Sequence, residues 1–296
     1  MVLLVVAAFL RLWRINELTE FLGDQGRTGM IIYEAWKARQ LPLVGPPVLT
    51  GQFLGPAFYY LIGLPFILGG FHPVVPSVFM ALLGVLAVFL LYRLASAIFG
   101  TWVGFAVAGL YAVSPSIVRA DRTVWEPTAV PLFVLLYLWC VYSVFEKRRY
   151  WYLLPMGAIV GALVQLHYPN IFYVGLSVGL LLLLLVRKKT PKKSVLLWFL
   201  AGIAGFLLVL SPFLWYESQH TWVDIREIVL ILAFGGAGGQ ASYSYSERML
   251  DASYKLFGHL APEASKQFML TLQLFVLAAA FWRRSLWSMF LAGWYV

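Results

Sequence analysis

A bundle of helices that crosses a membrane many times is the fold class predicted by three features of the sequence. First, 61% of the 296 residues are hydrophobic and only 12% are charged, and the mean hydropathy is +0.82; ordinary soluble domains are not made this way. Second, the apolar residues fall into long runs divided by short polar turns, and a helix needs roughly 20 residues to cross a bilayer. Third, the basic residues gather in alternate turns, the asymmetry that orients membrane helices. The prediction is an all-α polytopic transmembrane bundle, one module over residues 1–296.

The opening, MVLLVVAAFLRLWRI, lacks the basic start and small-residue cleavage site of a signal peptide. It reads as a retained first span, clipped at its cytoplasmic end. Apolar runs follow at Gly55 to Gly70, Val74 to Tyr92, Trp102 to Val118, Thr128 to Phe145, Trp151 to Leu166, Ile171 to Val186, Val195 to Tyr216, Phe268 to Trp282 and Leu286 to Val296. The last is too short to cross, so the natural protein is expected to continue with further spans.

Arg93, then Lys147, Arg148 and Arg149, then Arg187, Lys188, Lys189, Lys192 and Lys193, then Arg283 and Arg284, set eleven cations against one acid, Glu146. By the positive-inside rule these turns are cytoplasmic. The alternation holds only if GPAFYYLIGLPFILGG, Gly55 to Gly70, does not cross. Its 16 residues, Pro56 at the start, Pro65 inside and glycines at both ends read as an interfacial or re-entrant helix. That leaves about nine spans and four extracytoplasmic loops, residues 16–73, 114–128, 167–170 and 217–266. The net charge of +9 and pI near 9.6 belong mostly to those inner turns, so no nucleic-acid partner is expected. The lone Cys140 excludes a disulfide framework and a cysteine metal site. Beyond the first span, the crossing stretches hold no ionisable residue of the kind that pumps and proton relays need.

The outer loops carry the chemistry. FLGDQGRTG places Asp24 just outside the first span, ahead of an amphipathic run from Thr28 to Arg39. Asp24 suits either the N-cap of that helix or a base that takes a proton from a hydroxyl nucleophile. Arg27, one turn on, suits a phosphate or a salt bridge to Asp24 or Glu20. SPSIVRADRTVWEP packs Arg119, Asp121, Arg122, Trp125 and Glu126 into one span entrance; arginine holds phosphates bidentately, although interfacial belts account for the indole. Gln165, His167 and Tyr168 top another span in QLHYPN. In the last loop, DIREIVLILAF (Asp224 to Phe234) reads as an interfacial helix and FGGAGGQ as a hinge. SYSYSER beyond it offers Tyr243 and Tyr245, and a loop of this kind can close over an acceptor.

Taken together, the acid of the first loop, GPAFYYLIGLPFILGG, LLYRLASAIFG, SPSIVRADRTVWEP and QLHYP resemble the membrane glycosyltransferases of the dolichyl-phosphate-mannose protein mannosyltransferase type. These form glycosyltransferase family 39, with bacterial aminoarabinose-transferase-like proteins, in the GT-C fold. The resemblance runs from about Leu10 to Val186. It implies a sugar donor on a polyprenyl phosphate, attack by an acceptor hydroxyl (on lipid, glycan or protein) with inversion, and Asp24 as the catalytic acid-base residue. Read from the loops themselves, the substrate site is expected among Arg27, Arg119, Asp121, Arg122, Glu126, Gln165, His167 and Tyr168, with Arg122 and Arg119 or His167 at the phosphate. Gln25 stands where a second acid is usual, and Glu126 where many bacterial members carry an amide. Some GT-C enzymes bind a divalent metal beside the acid; the sequence shows no ligand-spaced His/Asp cluster and names no other cofactor. The setting implied is a bacterial or archaeal plasma membrane with the site on its extracytoplasmic face. The alternatives are a lipid-linked sugar flippase and a non-catalytic envelope assembly subunit. A flippase should show an inverted repeat and polar groups at mid-membrane, and the sequence has neither.

Overall fold

The computed structural model describes residues 1–48, 51–188 and 190–234. The runs expected from Phe268 onward, Arg283, Arg284, the glycine-rich hinge and SYSYSER lie outside the described residues. Within them the chain is all α, with twelve helices, two 3-10 turns and no strand. It is a polytopic membrane protein: four helices are long and apolar enough to cross.

The path begins with α1 (Val2–Leu12) and a single turn, α2 (Ile15–Leu18), then α3 (Gly23–Ala38) and α4 (Ala57–Leu68). Next come α5 (Val74–Phe99), α6 (Thr101–Val113), the short α7 (Pro115–Ala120) and α8 (Glu126–Phe145). The chain then runs through α9 (Leu153–Leu166), α10 (Phe172–Val186), α11 (Lys192–Gln219) and α12 (Val223–Phe234). Only α5, α8, α11 and α10 with its preceding turn reach full crossing length; α1, α4, α6 and α9 are shorter apolar helices.

Two boundaries differ from the sequence reading for local reasons. The run from Trp102 does not reach Val118 as one helix, because Pro115 cannot donate to the ladder and pushes Ser114 into extended backbone (φ −61°, ψ 120°). Conversely, Arg93 is not in a turn. Nothing in LASAIF breaks the helix, which continues until Gly100 supplies a positive φ of 97°.

Three contacts fix the direction of the first spans. Ala7, Val88, Ala108 and Ala112 share one buried cluster, so α1, α5 and α6 meet at one level. Four residues further along α1, Arg11 pairs with Asp121, and Asp121 presses on Gly84, four residues back along α5. Advancing on α1 therefore means retreating on α5: the two are antiparallel. The chain leaves α1 and enters α5 at the same end of the bundle, so α3 and α4 between them make no net crossing. With 12 residues, α4 is about 18 Å long, well short of a bilayer core of about 30 Å.

Small residues set the closest helix crossing. A Cβ at Gly157 of α9 would run into the Gly202 carbonyl of α11; one at Gly202 would sit 2.5 Å from the Leu153 carbonyl, and one at Gly161 3.0 Å from that of Phe206. Backbones this close supply the packing that association within a membrane depends on, where burial from water gives little drive. At the end that receives α3 and α4, a second cluster joins five helices and the turn before α8. Ile32, Phe58, Tyr59, Ile62, Phe66, Met80, Val124, Ala129 and Leu166 form it. The candidate site stands on this cluster.

Candidate functional site

Asp24 is not the N-cap of α3. Leu22 holds that position, and its N–H donates to the Gln25 Oε1 at 2.9 Å. Gln25 then turns its amide to the Val124 carbonyl at 3.3 Å, tying the start of α3 to the turn before α8. A carboxylate in place of Gln25 could accept the first bond but not donate the second. Asp24 falls in the first turn, where the helix dipole favours negative charge, and its Oδ1 accepts from Arg27 Nη2 at 2.7 Å. Both side chains are well exposed, 64% for Asp24 and 45% for Arg27. Such a pair contributes little to stability, typically below about 1 kcal/mol.

Glu126 opens α8 close enough to Asp24 and Arg27 to feel both charges. A fourth group completes this corner. Tyr59 of α4 is 2% exposed, its hydroxyl has no hydrogen-bond partner, and it lies within the fields of Arg27 and Glu126. Burial, the largest cause, pushes its pKa up to about 12, so it stays a protonated donor at any physiological pH. Sequence reasoning missed Tyr59 because it reads as one more apolar residue of GPAFYYLIG. The signal was there: a hydroxyl on the buried face of a short helix needs a partner. Tyr59 also lines a groove of about 790 Å³ between α3 and α4, walled by Trp36, Tyr60, Leu64 and Ile67 with Lys37 and Arg39 at its edge.

The Arg119 to Glu126 stretch divides. Arg119 is exposed on α7. Asp121, expected at substrate, is 5% exposed, and its Oδ2 accepts from Arg11 Nε at 2.7 Å. Arg11 is wholly buried and also donates to the carbonyls of Ala112 at 3.0 Å and Ala7 at 3.3 Å. Desolvation raises the Asp121 pKa to about 6 against the pull of Arg11. Arg122, expected at a phosphate, donates to the carbonyls of Arg11 at 3.0 Å, Trp13 at 3.2 Å and Leu10. It caps the C-terminal end of α1, where the helix dipole favours a cation. These two residues therefore brace α1 against α5, α6 and α7.

Gln165 joins two helices, with its Oε1 left without a partner. It is 2% exposed, lies flat against Gly55, and donates to the carbonyls of Gly161 at 3.1 Å and Val209 at 2.9 Å, joining α9 to α11. The Tyr168 hydroxyl donates to the Phe53 carbonyl, holding the loop that leads into α4. From the other side the Phe53 N–H donates to Asp224 Oδ1 at 3.3 Å. Asp224 lies within the field of the buried Glu217, whose Oε2 accepts the Ile225 N–H at 3.1 Å. Neither acid was singled out from sequence. His167 stays at the surface in extended backbone, and partial desolvation lowers its pKa, favouring the neutral ring. Its neighbour Leu166 belongs to the same cluster as Tyr59, so both groups of residues occupy one end of the bundle.

Among the described residues no three His, Cys, Asp or Glu side chains stand together as metal ligands. The cation beside Asp24 is Arg27, so the donor set there does not fit a resident divalent ion. What the corner offers is two carboxylates, a guanidinium and a phenol within one another's fields, and Tyr59, alone of the four, also lines the apolar groove between α3 and α4.

No curated protein matches the chain. The family model described as dolichyl-phosphate-mannose-protein mannosyltransferase matches residues 54–216, from the loop before α4 almost to the end of α11. That match takes in Tyr59, Glu126 and most of the bundle but stops short of Asp24 and Arg27. Its members are membrane glycosyltransferases with polyprenyl-phosphate-linked sugar donors. Since the match covers more than half of the 296 residues, the chain belongs to the dolichyl-phosphate-mannose-protein mannosyltransferase family.

Proposed function

We propose that this protein transfers a sugar from a polyprenyl-phosphate donor to a hydroxyl acceptor, with inversion, at the extracytoplasmic end of the bundle. Asp24 is the general base. The observation that carries the reading is the corner formed by Asp24, Arg27, Tyr59 and Glu126, open to solvent at Asp24 and joined to the α3–α4 groove through Tyr59.

The donor's lipid lies along the groove, and its phosphate meets Arg27 and Arg119. Arg27 spends one of its five N–H donors on Asp24, which leaves the rest of its fork for phosphate oxygens. Tyr59 donates to the sugar. The acceptor oxygen forms a bond to the anomeric carbon from the face opposite the phosphate, its proton passes to Asp24, and the carbon–oxygen bond to phosphate breaks. The electron pair leaves on the polyprenyl phosphate, whose charge the arginines stabilise. Glu126 keeps the corner's net charge low enough for the product to depart. His167, being neutral, suits a hydrogen bond to sugar or acceptor better than charge compensation.

The test separates chemistry from binding. Asn in place of Asp24 removes the base and keeps the shape, and Asp24 caps nothing, so folding should be untouched. Transfer should fall by about 10² to 10⁴-fold while donor affinity changes only a few-fold. Transfer within about tenfold of wild type would move the base elsewhere, with Glu126 next. Joint loss of transfer and donor binding would make Asp24 a donor ligand.

A further inference from the structure

The end of the bundle opposite Asp24 holds a cationic cavity of about 260 Å³ where α8 and α10 finish. Its inner wall is apolar, built from Phe145 and Leu184. Its outer wall carries Arg148, Arg187 and Lys188 with Tyr150 among them, and none of its lining residues is acidic. All three cations are exposed. The Arg187 guanidinium lies over the Phe145 ring, 5.5 Å from its centroid, which fixes its plane before any ligand arrives.

We propose that this cavity binds the headgroup of an anionic glycerophospholipid. The phosphodiester sits among Arg148, Arg187 and Lys188, above the buried Phe145 and Leu184, and the acyl chains run along the exposed Leu183 and Val186 of α10. The shared chemistry is that of a phosphate anion, and two features select a lipid over a free phosphate. Arg187 and Lys188 directly follow the end of α10, where Leu182, Leu183 and Val186 are exposed apolar side chains, so a ligand held by these cations has polar groups at one end and an exposed apolar helix face beside it. Tyr150, with a polar tip on an apolar ring, suits that boundary. Each basic residue near an anionic lipid surface contributes roughly fivefold in affinity, so three together amount to about a hundredfold over a zwitterionic lipid.

The experiment uses the full chain, purified and exchanged into mixed micelles of phosphatidylglycerol and phosphatidylcholine, with retained lipid read by native mass spectrometry. Wild type should hold one phosphatidylglycerol under conditions that strip phosphatidylcholine. The Arg148→Gln/Arg187→Gln/Lys188→Gln variant should lose it, while sugar transfer stays within about twofold because none of these residues belongs to the Asp24 corner. Arg187→Lys preserves the charge that orients the turn but removes the planar fork, and should weaken retention several-fold. It serves as the reading if the triple variant fails to insert. Equal retention of the two lipids, or undiminished phosphatidylglycerol in both variants, would overturn the proposal. So would displacement of the lipid by millimolar inorganic phosphate, which would make the cavity a soluble-anion site.

Discussion

Removing Asp121 should destabilise the bundle more than removing Asp24, although the sequence presents both as loop acids. Arg11 is wholly buried, and its only carboxylate partner is Asp121 at 2.7 Å. Asp121→Ala leaves that guanidinium with backbone carbonyls alone, and breaking one side of a buried pair costs about 3 to 5 kcal/mol. Arg11→Met with Asp121→Leu removes both charges, and most of the loss should return because no desolvated ion remains. Cys140 makes the assay simple. It is the chain's one cysteine and is buried in α8, so a thiol-reactive dye reports unfolding on heating in detergent. The pH dependence has a definite sign. Folding raises the Asp121 pKa from 3.8 to about 6, so the folded state holds this proton more tightly than the unfolded one. The ionised form is the costly one, and lowering the pH from 7 to 5 should stabilise wild type by about 1 kcal/mol. Asp121→Asn should lack that gain. An Asp121→Ala melting temperature within about 2 °C of wild type, where a loss of this size should give at least about 6 °C, would refute the reasoning.

Arg122→Ala should loosen α1 by about 1 to 3 kcal/mol, seen as an earlier melt in the same dye assay, because three of its five N–H donors hold the carbonyls of Leu10, Arg11 and Trp13. Gly157→Leu should separate α9 from α11 and lower the melting temperature sharply, since even a Cβ there meets the Gly202 carbonyl; Gly175→Ala, with open space around it, should not. Tyr59→Phe removes a buried hydroxyl that has no partner, so stability should hold or rise slightly. Sugar transfer should nevertheless fall at least tenfold, and unchanged transfer would take Tyr59 out of the site.

The fold was legible because its signals are local. Apolar runs, basic turns and proline-broken stretches each act within a helix length, and they gave the all-α class and most helix centres. Where boundaries shifted, the cause was a neighbour's backbone: Pro115 ended a helix early, and the lack of any breaker before Gly100 carried another past Arg93. The site was legible only in part, because its residues are sorted by partners far away in sequence. Arg119, Asp121, Arg122 and Glu126 look alike as one dense run of charge, yet Asp121 and Arg122 are claimed by α1, about 110 residues earlier. Arg11 gave the only warning, as a cation one turn inside the first apolar helix that had to find a counter-charge. Gln165 and Glu217 are likewise polar groups drawn into the bundle, bonded to Val209 and Ile225 and each left with one buried oxygen without a partner.

Once those obligations are met, the polar groups of this end with chemistry to spare are few. Asp24 and Arg27 hold only each other, Glu126 stands within their field, and the Tyr59 hydroxyl is buried without a partner. A residue with a structural task is recognised by bonds that tie distant elements together, as Arg122 does with the three carbonyls at the end of α1. A group that binds substrate must keep some of its capacity open while the fold is intact. By that criterion the exposed ion pair and unpartnered phenol of the Asp24 corner keep capacity open, and they support the proposed function more than the charge cluster at Asp121 and Arg122, which ties down α1.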